Sequence, residues 1–401
     1  MRLRWRLLPV ACLLPLVLGC SRGNQLAPFP IVTSVTPLVR GQNADAPMAG
    51  PCWSTDGTRL YFSAYLGLPK GWHVCTADVA TGTLSVLTSA PHPDSSADLY
   101  PDLSPSGTLL AFVRAQLYAG HDSLMVLELA TGKLTAVAEF TTITRPKWDP
   151  HGEMILFGTF DALQGSVLRV AKWPSLVVPS GGLTVYVSPD AAGSVIKYNW
   201  APVVGAEGGF KVAYEVNYKS NTRVGVVMLR GSCLENKVLT KSALPQGPCS
   251  GTMLKVDAEF SPSFSPDGQR VLFASNYAIG DVPVVVEDYC PDPDTTRNLP
   301  AVQSAPRVLD NTVSMSCEEY AVWSHSGTML AIEAANDVSA QLYLRRLSDR
   351  NAVQLTAAPL GIGRYFAVWS PDDRALAAME LVASPTKPGT TQQRVVLVGG
   401  F

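Results

Sequence analysis

Catalytic signatures, helical periodicity and any excess of charge are missing from this 401-residue chain. Past residue 20 no long segment repeats its apolar residues every 3.6 positions, because Pro and Gly interrupt too often, and this excludes a helical architecture. The one Gly-x-Ser-x-Gly, Gly19-Cys-Ser-Arg-Gly23, ends the apolar run at the start of the chain and has no strand–turn–helix context, so it gives no support to a peptidase with an α/β-hydrolase domain. No two of the eight cysteines are spaced Cys-x-x-Cys, so a thiolate metal site has no support. The formal net charge is only −2, and nothing in it favours nucleic acid.

What the chain has is a repeat. Its best copies read Trp369-Ser-Pro-Asp372, Phe264-Ser-Pro-Asp-Gly268 and Trp53-Ser-Thr-Asp-Gly57. Ser-Pro-Asp-Gly spells a type I turn: Pro presets φ at the first central position, Asp tolerates the second, and Gly follows at the exit. An alternating apolar stretch comes next, as in Arg59-Leu-Tyr-Phe-Ser-Ala64 and Arg270-Val-Leu-Phe-Ala274, and predicts a half-buried strand after a hairpin turn. A third strand, an Ala-Thr-Gly turn (Asp78-Val-Ala-Thr-Gly82, Ala130-Thr-Gly-Lys133) and a short fourth strand complete the unit. One unit is therefore one four-stranded antiparallel blade, with strands A to D.

The residues before the turn are Trp53, Leu103, Trp148, Val204, Phe264, Trp323 and Trp369, with Val204 the most degenerate copy. A proline stands two positions before several of them, at Pro51, Pro101, Pro146, Pro202 and Pro262. The spacing suits propeller blades of about 40–50 residues with loop insertions. The expected fold is an all-β, seven-bladed propeller, with six blades as the alternative count. After Trp369 the chain has room for strands A, B and C only. The stretch Ile31-Val-Thr-Ser-Val-Thr-Pro-Leu38 is expected to supply strand D of the last blade and leave no sheet edge open.

The first residues read as an export signal. Met1-Arg-Leu-Arg-Trp-Arg6 is basic, and Leu7 to Leu18 is an apolar core too short to span a bilayer of about 20 helical residues. It ends in Val17-Leu-Gly-Cys20, which resembles the lipobox of bacterial lipoproteins, with Cys20 as the lipidated residue. The expected organisation is a signal over 1–19, a tether over 20–30 and one propeller domain over 31–401. Removing 1–19 takes three arginines and no acids, leaving 28 basic against 33 acidic residues. Ser21 is not the aspartate that resembles an inner-membrane retention signal, so the analogy places the chain on the outer membrane with its propeller in the periplasm.

Export makes disulfides the expected use of the remaining cysteines. Proximity favours Cys233–Cys249 and Cys290–Cys317, and Cys52–Cys75 is left by elimination.

With these motifs, residues 45–400 resemble the TolB-like, WD-repeat-like propeller family of bacterial envelope proteins. The resemblance implies a propeller that binds another cell-envelope protein and carries no cofactor. Five positions before each turn residue, the loops joining D to A are expected to approach the axis. The side chains there are Met48, Asp98, Ile143, Asn199, Glu259, Glu318 and Arg364, and the polar ones among them, Asp98, Asn199, Glu259, Glu318 and Arg364, are the candidate binding residues at the channel mouth. Arg145, Lys197, Asp257, Glu319 and Tyr365 are polar neighbours. Trp53, Trp148, Trp323 and Trp369 read as packing residues between blades, and Trp72, Trp173 and Trp200 as exposed aromatics. His73, His92, His121, His151 and His325 fall in different loops and turns, too scattered for a three-histidine metal site, and the Asp288, Asp292, Asp294 spacing fits no calcium loop. The expected chain is a monomeric, non-enzymatic scaffold tied to the membrane by its lipid. The alternatives are a glycan or small-ligand binder, and a polysaccharide lyase or hydrolase using Glu259 and Glu318 at the channel mouth.

Overall fold

The computed structural model describes residues 34–40, 46–67, 71–89, 96–116, 120–161, 165–174, 183–187, 194–204, 209–217, 222–230, 233–238, 259–275, 279–283, 296–299, 307–310, 317–335, 340–349, 351–357, 362–384 and 389–401. The signal and tether expected over 1–30 lie outside them.

The described strands form seven sheets. After β1 (Ser34–Pro37), the first sheet holds β2 (Met48–Trp53), β3 (Arg59–Tyr65), β4 (Trp72–Asp78) and β5 (Leu84–Val86). The second holds β6 (Ser96–Leu103), β7 (Leu109–Gln116), β8 (Asp122–Glu128) and β9 (Leu134–Phe140). The third holds β10 (Lys147–Trp148), β11 (Met154–Asp161), β12 (Gly165–Lys172) and β13 (Leu183–Val187). The fourth begins with β14 (Ser194–Trp200), β15 (Phe210–Asn217), β16 (Thr222–Arg230) and β17 (Cys233–Val238). The fifth holds β18 (Glu259–Phe264), β19 (Arg270–Ser275) and β20 (Ile279–Pro283). The chain then contributes β21 (Thr296–Leu299) as a fifth, parallel strand on β17 before returning with β22 (Arg307–Asp310) to finish the fifth sheet. The sixth holds β23 (Cys317–Trp323), β24 (Met329–Ala335), β25 (Ala340–Arg346) and β26 (Val353–Gln354). The last holds β27 (Gly363–Trp369), β28 (Ala375–Ala383), β29 (Thr391–Gly399) and, at its edge, β1. The fold is a β-propeller, and each sheet is a blade.

Seven apolar clusters hold these sheets together, each built from two successive blades. In β3, Leu60 and Phe62 pack toward the last blade while Tyr61 packs toward the second. The second strands are thus buried on both faces, not half-buried as the alternation implied, because each blade is covered by a neighbour on either side. Phe62, Phe112, Phe157, Tyr214, Phe273 and Ile332 occupy one register position around the ring and are fully buried. Each such side chain is worth about 1.5–3 kcal/mol of burial.

The turn after strand A explains the recurrent Ser and Asp. Ser54 Oγ donates to Asp56 Oδ1 at 2.6 Å and accepts from Arg59 N at 2.9 Å. Asp56 also accepts from Thr58 N, and these bonds hold its carboxyl at about 2. Ser370 and Asp372 repeat the arrangement. In the third blade Asp149 replaces both residues, accepting from Glu153 N and Met154 N.

This turn corrects one alignment. The backbone bond that closes it runs from Ser54 N to Arg59 O, from Ser104 N to Leu109 O, and in the fourth blade from Ala201 N to Lys211 O. The fourth equivalent of Trp53 is therefore Trp200, not Val204. Trp200 pairs with Val212 as Trp53 pairs with Leu60 and Trp369 with Leu376. Its indole donates to Lys147 O of the preceding blade at 2.9 Å, as Trp53 donates to Val368 O and Trp369 to Val322 O. Val204 misled because the loop from Trp200 to β15 is longer than its counterparts and carries its own glycine. Trp200 is buried rather than an exposed aromatic, and Pro202 lies after it, outside the proline pattern.

β1 closes the ring as the sequence implied. Val35 pairs with Val398 and Pro37 with Val396, and Leu38 N donates to Val395 O at 3.0 Å. The next residues cross to the first blade, where Arg40 N donates to Gly82 O at 3.1 Å. Gly82 has φ +71°, and a Cβ there would meet Leu38 O at 2.6 Å. Gly132, at the same turn of the second blade, has the same φ and open space around it. Gly132→Ala is expected to cost about 1–2 kcal/mol of left-handed backbone strain. Gly82→Ala is expected to cost clearly more, since it also pushes the closing segment away. Urea unfolding midpoints of the two variants measure the difference, and equal midpoints would refute the closure contact.

Candidate functional site

The innermost strands share a defect. Between the residues four and one positions before each turn residue, the register slips in β2, β6, β18 and β27. Gly50, Tyr100, Ser261 and Phe366 sit in these bulges with φ of 61°, 58°, 59° and 53°. With Trp200 as the fourth reference, the same position holds Arg145, Lys197 and Tyr320 in the remaining blades. A bulge re-aims a side chain out of the strand's regular alternation. Four of the seven residues at this position are re-aimed in this way, and all seven belong to the inner strands or their approach.

They meet across the ring. The Arg145 guanidinium lies 5.1 Å from the Tyr100 ring centre and 5.1 Å from that of Phe366, so the third blade touches the last. Phe366 stacks edge-on against Tyr320 at 6.2 Å and against Tyr365 at 5.3 Å. Lys197 Nζ lies 5.4 Å from the Tyr320 ring and donates to Ser261 Oγ at 2.6 Å. Behind this ring stand two buried acids. Glu215, opposite Lys197 in the ladder, accepts from Ser261 N at 2.7 Å, and Glu333, opposite Tyr320, accepts from Phe366 N at 2.9 Å. Burial pushes the Glu215 carboxyl up, against the pull of Lys197 and of the Ser261 N–H. Burial, with Glu333 beside it, pushes the Tyr320 hydroxyl up to about 12. The backbone of Arg145 is fixed by Tyr198, which donates to its carbonyl at 2.6 Å and accepts from Gly158 N at 2.9 Å.

The residues expected at the channel mouth divide. Asp98 is fully buried and makes a two-pronged ion pair with Arg114 at 2.7 and 2.9 Å. Arg364 is buried against Glu380 at 2.6 Å, and Glu380 binds Arg394 as well, also at 2.6 Å. Both pairs join strand A to strand B of one blade instead of facing an open mouth, because their ladder partners carry the opposite charge. Asn199 stands one position before Trp200, not five, and its Oδ1 accepts from Trp200 N. Glu259 opens β18 and Glu318 lies second in β23, both at the expected register, and their side chains are outside the described residues. Met48 and Ile143 are buried. Sequence reasoning named Arg145 and Lys197 only as neighbours and passed over Tyr100, Tyr320 and Phe366. Counting three positions back from each turn residue, in place of five, finds all of them.

Cys52 and Cys75 are not bonded to each other; both thiols are free. Cys52 pairs with Tyr61 and Cys75 with Phe62, so they point to opposite faces of the sheet with β3 between them. Two strand spacings put their Cα atoms about 9–10 Å apart, beyond the ~7 Å limit for a disulfide. Burial pushes both thiols up to about 12. The side chains of Cys20, Cys233, Cys249, Cys290 and Cys317 lie outside the described residues, as do Asp257, Asp288, Asp292, Asp294 and His92. His73 is buried on Thr88 O, His151 packs on Phe210 and His325 on Asp373. Among the described residues no three His, Cys, Asp or Glu side chains cluster as metal ligands.

No family model matches the sequence. Over 242 residues, 60% of the chain, it is 27% identical to the Tol-Pal system protein TolB of Francisella tularensis subsp. tularensis, of which that stretch covers 48%. The TolB of subsp. holarctica is 27% identical over 239 residues, covering 60% of this chain and 48% of that protein. The chain thus spans about half the length of these curated relatives. Its fold matches the β-propeller domain of the Trilobed protease from Pyrococcus furiosus, described as an open velcro topology, with TM-score 0.57 and 12% identity over 89% of this chain and 94% of that one. An oligogalacturonate lyase in complex with manganese matches with TM-score 0.55 and 12% identity over 92% and 91% of the two chains. At these identities the two structures speak for the fold alone.

The buried triad in the last blade gives a direct test. Glu380→Gln keeps the shape and leaves Arg364 and Arg394 without a counter-charge. It is expected to lower unfolding free energy by about 3–5 kcal/mol, measured in urea. A loss under about 1 kcal/mol would make the triad no stronger than a surface pair.

Proposed function

Starting from a chain that is a TolB-like β-propeller, we propose that it is a non-catalytic binding scaffold of the bacterial envelope, docking another cell-envelope protein from the periplasmic side of the outer membrane. The observation that carries this reading is its likeness, over 60% of its length, to proteins of the Tol-Pal system. The build of the ring supports it. Ion pairs such as Asp98–Arg114 and Arg364–Glu380 tie the ends of inner strands to their neighbours, so these strand ends form a stiff platform. Glu259 and Glu318 are the mouth acids we assign to partner contact on that platform, with Asp98 and Arg364 setting its base. A stiff platform lowers the ordering cost of association. Lipid on Cys20 holds the propeller at the membrane, and the propeller acts as a monomer.

Cross-linking the exported protein in intact cells, followed by mass spectrometry, tests the reading. One envelope protein is expected to recur, joined through the loops between strands D and A. Recovery of bulk lipid or wall material alone would sink the scaffold reading and move attention to glycans. The anchor is tested separately. Cys20→Ser is expected to move the protein from the membrane fraction to the soluble periplasmic fraction and to abolish its labelling by radioactive palmitate. A variant that stays with the membrane would rule out Cys20 as the attachment point.

A further inference from the structure

Arg145 stands at the axis of the ring as an exposed cation with two aromatic rings against it. Other arginines of the inner blades have carboxylates: Arg114 has Asp98, and Arg364 and Arg394 share Glu380. Arg145 has none. Among the described residues its hydrogen bonding runs only through its main-chain carbonyl, which accepts from Tyr198, and its five N–H donors have no protein acceptor. Among the described residues, the acids behind this ring, Glu215 and Glu333, bind the main-chain N–H groups of Ser261 and Phe366. Two more donors stand beside Arg145. Tyr320 feels its charge and has no hydrogen-bond partner for its hydroxyl among the described residues. Lys197 lies over the Tyr320 ring.

A guanidinium engaged by aromatic rings keeps its N–H edge free, and that edge matches a flat, two-oxygen anion. We propose that the channel is a carboxylate-binding site. Arg145 holds both oxygens in the plane of its guanidinium, and Tyr320 and Lys197 each add a single hydrogen bond. The aromatic walls favour a planar carboxylate over a tetrahedral phosphate, because the ligand enters edge-on between rings. The carboxylate belongs either to a small free acid or to an acidic side chain of a polypeptide that reaches into the channel. The inference does not depend on the partner reading above, since it concerns the oxyanion and not the protein that brings it.

Calorimetric titration at low ionic strength tests it, with malonate as the free acid and tetraglutamate as the polypeptide probe. Wild-type protein is expected to bind one of them saturably. Arg145→Gln is expected to weaken that binding at least about tenfold, the loss of one charge-assisted pair. Arg145→Lys, which keeps the charge and loses the fork, is expected to fall between. Tyr320→Phe removes one donor without touching Arg145 and is expected to weaken binding severalfold, which keeps the test valid if Arg145→Gln fails to fold. Binding of malonate with this order of variants assigns the site to a free acid, and binding of tetraglutamate alone assigns it to an acidic side chain. No binding of either probe by wild-type protein, or wild-type affinity in Arg145→Gln, overturns the proposal.

Discussion

A sheet apolar on both faces cannot stand alone, and this one constraint organises the molecule. Leu60 and Tyr61 are adjacent in the chain and buried in two different clusters. Each blade therefore needs a neighbour before and a neighbour after, and only a closed ring supplies both to every blade. The closure by β1, the indole bonds from Trp53, Trp200 and Trp369 to the preceding blade, and the stacking of turns all serve that requirement. Even the turn glycines obey it. A Cβ on Gly57 would touch Pro371, and one on Gly327 would touch Pro266, each in the blade before.

Closure has a second effect, at the axis. It brings the inner strands of the blades together there. The position three before each turn residue supplies a chosen set: two cations, three aromatic rings, a serine and a glycine. Left-handed φ at Tyr100 and Phe366 costs about 1–3 kcal/mol each, and such strain persists only where the surroundings impose it. The surroundings here are the buried carboxylate that binds Phe366 N and the guanidinium lying on both rings. The axis thus includes three strained positions, Tyr100, Ser261 and Phe366.

The difference between the blades and the axis is also the difference between what the sequence discloses and what it conceals. The turn phrase and the alternating strands are local, so Ser54-Thr-Asp-Gly57 and Arg59–Ala64 announce a blade without any knowledge of the others. The closing strand Ser34–Pro37, within the stretch Ile31–Leu38, was legible because the last unit had room for only three strands of its own. Trp200 was hidden because its turn is long and the glycine after Val204 imitates the phrase. Asp98 and Arg364 were placed at the right register and given the wrong surroundings, since the opposite charge on the neighbouring strand is invisible until the ladder is known. The bulge was invisible for a deeper reason: strict alternation assumes a regular strand, and Tyr100 or Phe366 reaches the axis only by breaking it. The crossing of β21 to the fourth blade left no local signature either, since a parallel edge pairing depends on a strand far away in sequence.

The pairing of β1 with β29 joins residues as far apart as Ser34 and Gly399. A chain made from its N-terminus presents β1 well before its partner. Until the final strand emerges, β1 has an open edge and the first blade has one uncovered face. Ring completion is therefore a late, whole-chain event, slowed by the large loop that must close before the pairing stabilises anything. During that interval the chain is a string of partly covered blades, and the time spent in that state is governed by how soon β29 is made.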